Sequence, residues 1–271
     1  MSVKQEAAKL NTRMRNTIPL VHNITNYVTV NDCANALLAI GTSPIMADDI
    51  LEAADITAIS SALVINIGTL NQRTVESMIS AGKKANELEI PVVFDPVGAG
   101  ASKLRNDTTQ RILEQVGITI LRGNLSEVSY VAGLSASTKG VDTSEADEDK
   151  DAQAVAIAAA KKFSCTVAIT GAVDVITDGK RVARISNGHP MLSKVTGTGC
   201  MTSAITGGYA GLGEDAFTAA AAGVMSMGIA GELAFEKAGE LGTGSFHMAL
   251  IDALSMLNEQ IIEEMGRVEE E

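Results

Sequence analysis

The chain has 271 residues, a net charge of −12 and a hydrophobic fraction of 46%. This length is enough to bury a sizeable core, and the composition excludes a mostly disordered chain. Because the chain is strongly acidic, it has no overall electrostatic footprint for nucleic acid, and we expect no nucleic-acid partner. A nucleotide would have to bind at a local site made of backbone amides, a metal ion or a few basic side chains.

Several sequence features predict a cytoplasmic protein. The first 15 residues carry scattered charges and lack the apolar segment of a signal peptide. The longest uncharged helical stretch, residues 216–231, is too short for a membrane span and rich in Ala and Gly, so we expect a buried or subunit-facing helix and no membrane association. An odd number of cysteines without a close pair favours a reducing compartment. The cysteines are Cys33, Cys165 and Cys200.

Short apolar runs alternate with longer amphipathic segments through most of the sequence. The runs are typical of strands in a parallel sheet that is covered on both faces, and segments 74–88 and 107–116 predict crossover helices. This alternation predicts one α/β domain over residues 1–271. The predicted strands span residues 20–24, 44–47, 62–67, 92–95, 118–122 and 167–170.

The rest of the chain departs from this alternation. Residues 174–186 predict a hairpin, with Asp178-Gly179 as its turn signal. From Cys200 onward there is almost no strand pattern, and three successive helices are predicted. Residues 142–151 include six acidic side chains, which we interpret as a solvated loop leading into a helix N-terminus rather than as a metal site.

Three stretches carry residues suited to phosphate chemistry. Residues 197–200, Gly-Thr-Gly-Cys, precede a helix-forming run, where backbone N–H groups can converge on an anion, although such a turn can also simply pack a helix tightly. Asp95 ends an apolar strand, where a carboxylate can hold Mg²⁺ or cap a turn. Arg122 ends the next predicted strand and suits phosphate binding, while Glu127 also fits a capping box begun by Asn124.

Other motifs are weaker or missing. The sequence contains neither a Walker A loop nor the three-glycine dinucleotide fingerprint. The three histidines, His22, His189 and His247, lack metal-ligand spacing, and we expect ordinary hydrogen-bonding roles for them.

Four blocks, in one order along the chain, resemble the hydroxyethylthiazole kinase family, which belongs to the ribokinase-like kinases. The likeness runs over roughly residues 5–260, and each block alone would be a weak signal. The blocks are residues 22–26 with Asn31 and Asn35 beyond them, 95–101, 122–127 and 197–200.

The resemblance implies a fold and a reaction. The fold would be the ribokinase-like three-layer α/β fold, with a mostly parallel central sheet, helices on both faces and a helical C-terminal region. The reaction would be transfer of the ATP γ-phosphate to the hydroxyl of 5-(2-hydroxyethyl)-4-methylthiazole, for thiamine synthesis or salvage, with ATP and Mg²⁺. The family is typically a homotrimer with active sites between subunits.

The resemblance also implies site residues, position by position. Asn26, Met46 and Gly197 would contact the acceptor, and Arg122 and Thr170 would bind the ATP phosphates. Asp95 and Glu127 would organise Mg²⁺, partly through water. The backbone amides of Gly197, Thr198, Gly199 and Cys200 would stabilise the developing charge.

Cys200 stands where most ribokinase-like enzymes have an Asp as general base, which matches the thiazole kinases. A free thiol has a pKa of about 8.5, and the helix N-terminus is expected to lower it. Because positioning and charge stabilisation dominate phosphoryl transfer, we expect Cys200 to be helpful but not essential. Thr243 stands where the family commonly has Pro, which would stiffen that loop.

Three other readings stay open at this point. One is a kinase of the same fold acting on a pyrimidine or pyridine alcohol, although Cys200 and the block at 22–26 favour the thiazole. Another is a nucleotide-dependent hydrate dehydratase of the same fold. The third, a non-catalytic nucleotide sensor, is disfavoured because it has no need for Asp95, Arg122 and Glu127 together with the glycines at 197–200.

Overall fold

A nine-stranded sheet runs through the protein. The structure, a computed structural model, describes the backbone of residues 1–134 and 145–271 and their side chains outside 145–150. Within these residues the strand order is β2-β1-β3-β4-β5-β6-β7-β8-β9. The strands are β1 Leu20–Ile24, β2 Ser43–Ile45, β3 Ala62–Asn66, β4 Val92–Asp95, β5 Ile120–Asn124, β6 Thr166–Thr170, β7 Asp174–Thr177, β8 Val182–Ile185 and β9 Val268–Glu270.

The pairing divides the sheet into two parts. Strands β2 to β6 pair in parallel, whereas β6 to β9 pair antiparallel. The predicted hairpin is confirmed as β7 and β8, with Gly179 at φ +87° in its turn. Asp178 Oδ1 accepts hydrogen bonds from the backbone N–H groups of Lys180 and Arg181. The mostly parallel sheet predicted from the apolar runs is confirmed.

Helices cover both faces of the sheet, as the three-layer prediction requires. One buried cluster joins the sheet to α1, α2, α8, α9 and α10, and a second joins its other face to α4, α5, α6 and α7. The helices are α1 Val3–Thr17, α2 Val30–Ile40, α3 Ala53–Ala58, α4 Gln72–Glu87, α5 Lys103–Gln115, α6 Leu125–Ala132, α7 Glu145–Phe163, α8 Thr198–Ala210, α9 Ala216–Ala238, α10 Thr243–Met256 and α11 Glu259–Met265.

The C-terminal region differs from the prediction in two ways. Residues 198–271 hold four α-helices instead of three, because Asn258 caps Ile261 N–H and starts α11 two residues after α10 ends. They also hold β9, whose Val-Glu-Glu sequence has no strand pattern and which is fixed by pairing with β8 at the sheet edge.

The acidic stretch is only partly described by the structure. Helix α7 begins at Glu145, so residues 145–151 belong to its first turns and not to a loop, and this part of the prediction is wrong. Asp142 lies outside the described residues. Among the side chains that are described, no group of three or more His, Cys, Asp or Glu could hold a metal ion.

The apolar helix α9 lies inside the protein. Residues 216–241 are long and apolar enough to cross a membrane by composition, but 83% of the most apolar window is buried. The expectation of a buried helix is confirmed, and α9 packs on α8, α10 and α1 as a core helix.

Candidate active site

Four polar side chains meet where parallel strands end. Asn66, Asp95 and Thr170 are the last residues of β3, β4 and β6, and Arg122 lies near the end of β5. Asn66 Nδ2 donates to Asp95 Oδ2 at 2.9 Å, and Arg122 Nη2 donates to Thr170 Oγ1 at 2.6 Å. Arg122 Nη1 also lies 3.5 Å from Asp95 Oδ2. The structure therefore brings together three of the predicted residues, Asp95, Arg122 and Thr170, at one edge of the sheet.

The N-terminus of α8 faces this group. Gly197, its N-cap, has φ +91° and no side chain to accept a hydrogen bond from the first helical N–H groups. A Cβ atom at Gly197 would lie 2.5 Å from Thr29 Cγ2, and one at Gly199 would lie 2.8 Å from Arg122 Nη1. The two glycines thus allow close packing of the loop and direct approach of the guanidinium to the helix end.

This arrangement of charge favours an anion. The N-terminus of a helix carries partial positive charge, and here it lies beside a guanidinium. Arg122 Nε is buried and has no hydrogen-bond partner among the described residues. Two positive groups and an unused donor at one point are what a phosphate oxygen needs.

Asp95 is buried in the middle of the site, with 1% of its surface exposed. Its Oδ2 atom accepts from Asn66 and, at 2.6 Å, from Ser203 Oγ, whereas Oδ1 is buried without a partner among the described residues. Burial raises the pKa of Asp95 to about 6, although the positive charge of Arg122 opposes this rise. The carboxylate of Asp95 is therefore fixed in place by hydrogen bonds to Oδ2, and its Oδ1 atom is left for a ligand.

Glu127 has a structural role that the sequence had left as an alternative. The capping box is present, with Glu127 Oε2 accepting from Asn124 N–H at 2.9 Å and Asn124 Oδ1 accepting from Glu127 N–H. Its other oxygen, Oε1, accepts from Gly98 N–H at 2.8 Å. Glu127 thereby ties the loop after β4 to α6, and its charge contributes to raising the pKa of Asp95.

Cys200 lies in the first turn of α8, buried between two amides. Its Sγ atom is 3.3 Å from Asn66 Nδ2 and 3.9 Å from Asn26 Nδ2. The expectation that the helix N-terminus lowers its pKa is wrong. Burial, and secondly the charge of Asp95, raise the pKa of Cys200 above its usual range. The group is a neutral thiol at physiological pH.

The predicted acceptor residues Asn26 and Met46 are not among the residues that line the cavity beside Arg122. Asn26 follows β1 and its Oδ1 accepts from Val28 N–H at 2.9 Å. Met46 follows β2 and is partly buried against the core. The buried His22 has the hydrogen-bonding role expected of it: Nε2 lies 2.7 Å from the carbonyl oxygen of Ala47 and so fixes the chain next to Met46.

A cavity of about 570 Å³ opens beside Arg122 and the start of α8. Its lining includes the predicted Arg122, Thr170, Thr198 and Gly199. Several lining residues were missed by the sequence analysis because no motif marks them. They are Gly171, Ala172, Asp174, Asn187, Gly188, His189, Pro190, Leu192, Ser193, Thr202, Val224, Met227 and Gly228.

Two further site residues, Asn66 and Ser203, were also missed. Asn66 ends a strand next to β4 in the sheet, so the rule that parallel strand ends share an edge could have found it. Ser203 lies one helical turn after Cys200, where its hydroxyl reaches Asp95.

Comparisons with known proteins place this chain in a family. The sequence pattern described as "HK: Hydroxyethylthiazole kinase family" matches residues 11–260. The chain is 65% identical over 267 residues to the hydroxyethylthiazole kinase of Ruminiclostridium cellulolyticum, covering 98% of both chains. It is also 65% identical over 260 residues to that of Clostridium beijerinckii, covering 95% of this chain and 94% of the relative.

A solved structure agrees with the sequence comparisons. The hydroxyethylthiazole kinase protein from Pyrococcus horikoshii OT3 is 41% identical and superposes with a TM-score of 0.90, with 98% of each chain covered. The fold is therefore the ribokinase-like α/β fold, and the chain belongs to the ATP-using hydroxyethylthiazole kinase family.

Proposed function

We propose that the chain transfers the γ-phosphate of ATP to the primary hydroxyl of 5-(2-hydroxyethyl)-4-methylthiazole, in thiamine synthesis or salvage. The observation that carries the proposal is the uncapped N-terminus of α8 beside Arg122, at the mouth of a cavity of about 570 Å³. Family membership supplies the identity of the acceptor, because the named relatives are hydroxyethylthiazole kinases.

In this proposal the two sides of the α8 N-terminus have different tasks. Arg122 and Thr170 bind the ATP phosphates, and Asn26, Met46 and Gly197 contact the thiazole. The hydroxyl oxygen attacks the γ-phosphorus as the bond to the β-phosphate oxygen breaks. The backbone amides of residues 197–200 stabilise the charge that spreads over the transferring group.

Cys200 has a supporting role here. Its thiol lies at the start of α8, within reach of Asn26, so it borders the acceptor hydroxyl. Because burial raises the pKa of this thiol, it is a poor base at neutral pH. The hydroxyl proton passes to an oxygen of the transferred phosphoryl group, while positioning and charge stabilisation drive the transfer.

Asp95 and Glu127 would hold Mg²⁺. The unpartnered Oδ1 atom of Asp95 fits a hard cation, whereas both oxygens of Glu127 already accept from backbone N–H groups. This donor set suits a Mg²⁺ ion that keeps several waters and touches few protein oxygens. When bound, the ion neutralises phosphate charge.

We also propose that the chain acts as a single domain over residues 1–271 in a cytoplasmic homotrimer. Both ends of the chain meet, since Val3 N–H donates to Glu270 Oε1 at 2.8 Å. Apolar side chains next to the acceptor side are exposed, with Val28 at 64% and Leu51 at 88%, and a neighbouring subunit would cover them. Light scattering of the pure protein measures the subunit number, and a monomer that is fully active would contradict the trimer.

The activity is tested with the pure protein, ATP, Mg²⁺ and the hydroxyethylthiazole, using mass spectrometry to detect thiazole phosphate. Pyrimidine and pyridine alcohols and a reaction without acceptor run in parallel. Thiazole phosphate in preference to the other products is the expected result. Preferred phosphorylation of a pyrimidine or pyridine alcohol would show that this alcohol, and not the hydroxyethylthiazole, is the acceptor. ATP turnover without phosphorylation of any alcohol would instead indicate a nucleotide-dependent hydrate dehydratase.

A further inference from the structure

A second acid, Asp174, lies in the cavity that we assign to the nucleotide. It is the first residue of β7, immediately across the turn from Thr170, and only 8% of its surface is exposed. Its Oδ1 atom accepts from Gly171 N–H at 2.9 Å and holds the turn that follows Thr170. In the sequence, Asp174 is marked only as the start of the predicted hairpin.

The side chain of Asp174 faces the nucleotide cavity. Ile176, two residues further along the same strand, belongs to the buried cluster of α8 and α9, so Asp174 is on that face of the sheet. Its neighbour Val175 belongs to the cluster on the other face, together with the helix α7. Asp174 itself lines the cavity with Arg122 and Thr170.

Among the described residues, few other charges face Asp174. Arg122 is the cation that lines the cavity, and it already contacts Asp95. His189 is the remaining titratable group in the lining. From α9, Glu232 is engaged by Arg267 and by Gly188 N–H.

The neighbouring charge on β8 points away. Arg184 pairs in register with Val175, which lies on the opposite face, and Arg184 Nη1 contacts Glu271 at 2.7 Å. With Asp95 and Asp174 both ionised, a single guanidinium would therefore balance two carboxylates before a polyanion arrives.

From this geometry, and on the basis of the proposed function, we infer that Asp174 binds ATP in its protonated form and donates a hydrogen bond to a nucleotide oxygen. A neutral carboxyl group keeps one oxygen to accept from Gly171 N–H and gains an O–H donor on the other. The proton comes from solvent, so one proton is taken up for each ATP that binds to the ionised form.

The electrostatics agree with this reading. Burial raises the pKa of Asp174 to about 7, with Gly171 N–H and Arg122 opposing the rise. A polyanion in the same cavity raises the pKa further, because it disfavours a second negative charge. ATP affinity is therefore greatest below pH 7 and falls as the pH rises above it, by at most about tenfold per pH unit for one linked proton.

The test uses Asp174→Asn, which keeps an acceptor for Gly171 N–H and replaces the acid O–H by an amide donor. ATP binding to the full chain is measured by calorimetry from pH 6 to 8.5, without acceptor, in two phosphate-free buffers of different ionisation enthalpy. The difference between the buffers counts the protons that are taken up. Protons that belong to ATP itself are common to both proteins and cancel between them.

We expect the wild type to take up protons above pH 7 and to bind ATP progressively more weakly there. Asp174→Asn should lack this uptake and, at pH 8.5, bind ATP about tenfold more tightly than the wild type. Asp174→Ala, which has neither acceptor nor donor, should bind weakly at every pH. Asp107→Asn, on the exposed face of α5, is the matched charge control and should behave as the wild type.

Two results would overturn the inference and spare the proposed function. One is equal proton uptake by the wild type and Asp174→Asn. The other is tighter ATP binding by the wild type than by Asp174→Asn at pH 8.5, which would make the ionised carboxylate the ligand. A wild-type protein that does not bind ATP at any pH would instead overturn the proposed function itself.

Discussion

The two sides of the α8 N-terminus are built differently. On the nucleotide side, Arg122, Thr170 and Asp174 line one cavity, where Arg122 donates to Thr170 and Asp174 accepts from Gly171 N–H. On the acceptor side, Asn26 sits in a loop whose neighbours Tyr27 and Val28 are more than half exposed.

In the proposed function, this difference follows from what each side must recognise. A phosphate chain needs charged groups and amides that are held in place before it arrives, which requires burial and pairing. A small aromatic alcohol needs shape and a few polar contacts, which loop residues and a second subunit can supply. Changes on the nucleotide side should therefore reduce the rate of phosphoryl transfer, whereas changes on the acceptor side should act mainly on KM for the alcohol.

Arg122→Met should have the largest effect. It removes the charge beside the α8 N-terminus and keeps the apolar stem, and loss of such a group reduces kcat/KM by about 10² to 10³. Arg122→Lys keeps the charge but lacks the planar guanidinium, and its kcat/KM should lie between those of Arg122→Met and the wild type. Steady-state kinetics with ATP varied at saturating alcohol measure both.

An exposed arginine provides the control for this experiment. Arg111 on α5 pairs with Glu76 at the surface, and Arg111→Met should leave kcat/KM unchanged. Thermal unfolding checks that Arg122→Met is folded, since Asp95 loses its buried partner in that variant. If folded Arg122→Met had the kcat/KM of the wild type, Arg122 would not bind the ATP phosphates.

Gly199→Ala should be the next most harmful change. The added methyl group would lie 2.8 Å from Arg122 Nη1, so the guanidinium must move away from the helix end. A displacement of this kind reduces kcat/KM by about 10- to 100-fold. We expect both a lower kcat and a higher KM for ATP. Gly244→Ala, where a Cβ atom meets nothing within 4 Å, is the matched control. Equal activity of the two variants would contradict a close approach of Arg122.

Much of the sheet could be predicted from the sequence because its strands are short, nearly continuous apolar runs, as expected when both faces of a sheet are covered. The strand at 92–95 was placed at its observed bounds, and Asp95 at its end followed directly. The adjacent ends of parallel strands then explain why Asp95 and Arg122 meet, although 27 residues separate them along the chain.

What was missed depends on tertiary contacts. β9 forms only because β8 offers an open edge, and Asp174 joins the site only because β7 turns back antiparallel to β6 and so brings it next to Thr170. The pKa of Cys200 could not be predicted from its place at a helix start, since burial and Asp95 outweigh the helix end.

On the acceptor side, Asn26→Ala should have a smaller and more selective effect. Loss of one hydrogen bond is worth about 1 kcal/mol, or roughly a fivefold rise in KM for the hydroxyethylthiazole. KM for ATP should stay at the wild-type value, because Asn26 does not line the cavity that we assign to the nucleotide. A rise in KM for ATP instead would remove the distinction between the two sides.

Cys200→Ala should have the smallest effect, a loss in kcat of less than about tenfold, because positioning and charge stabilisation dominate this transfer. Since burial raises the pKa of this thiol, the wild type contains little thiolate at neutral pH, and its rate should not follow thiolate formation. The kcat profiles of the wild type and Cys200→Ala should therefore run parallel from pH 6 to 8. A variant that binds ATP and the alcohol normally but shows no turnover would make Cys200 essential. A profile that loses a basic limb on substitution would instead assign the proton transfer to its thiolate.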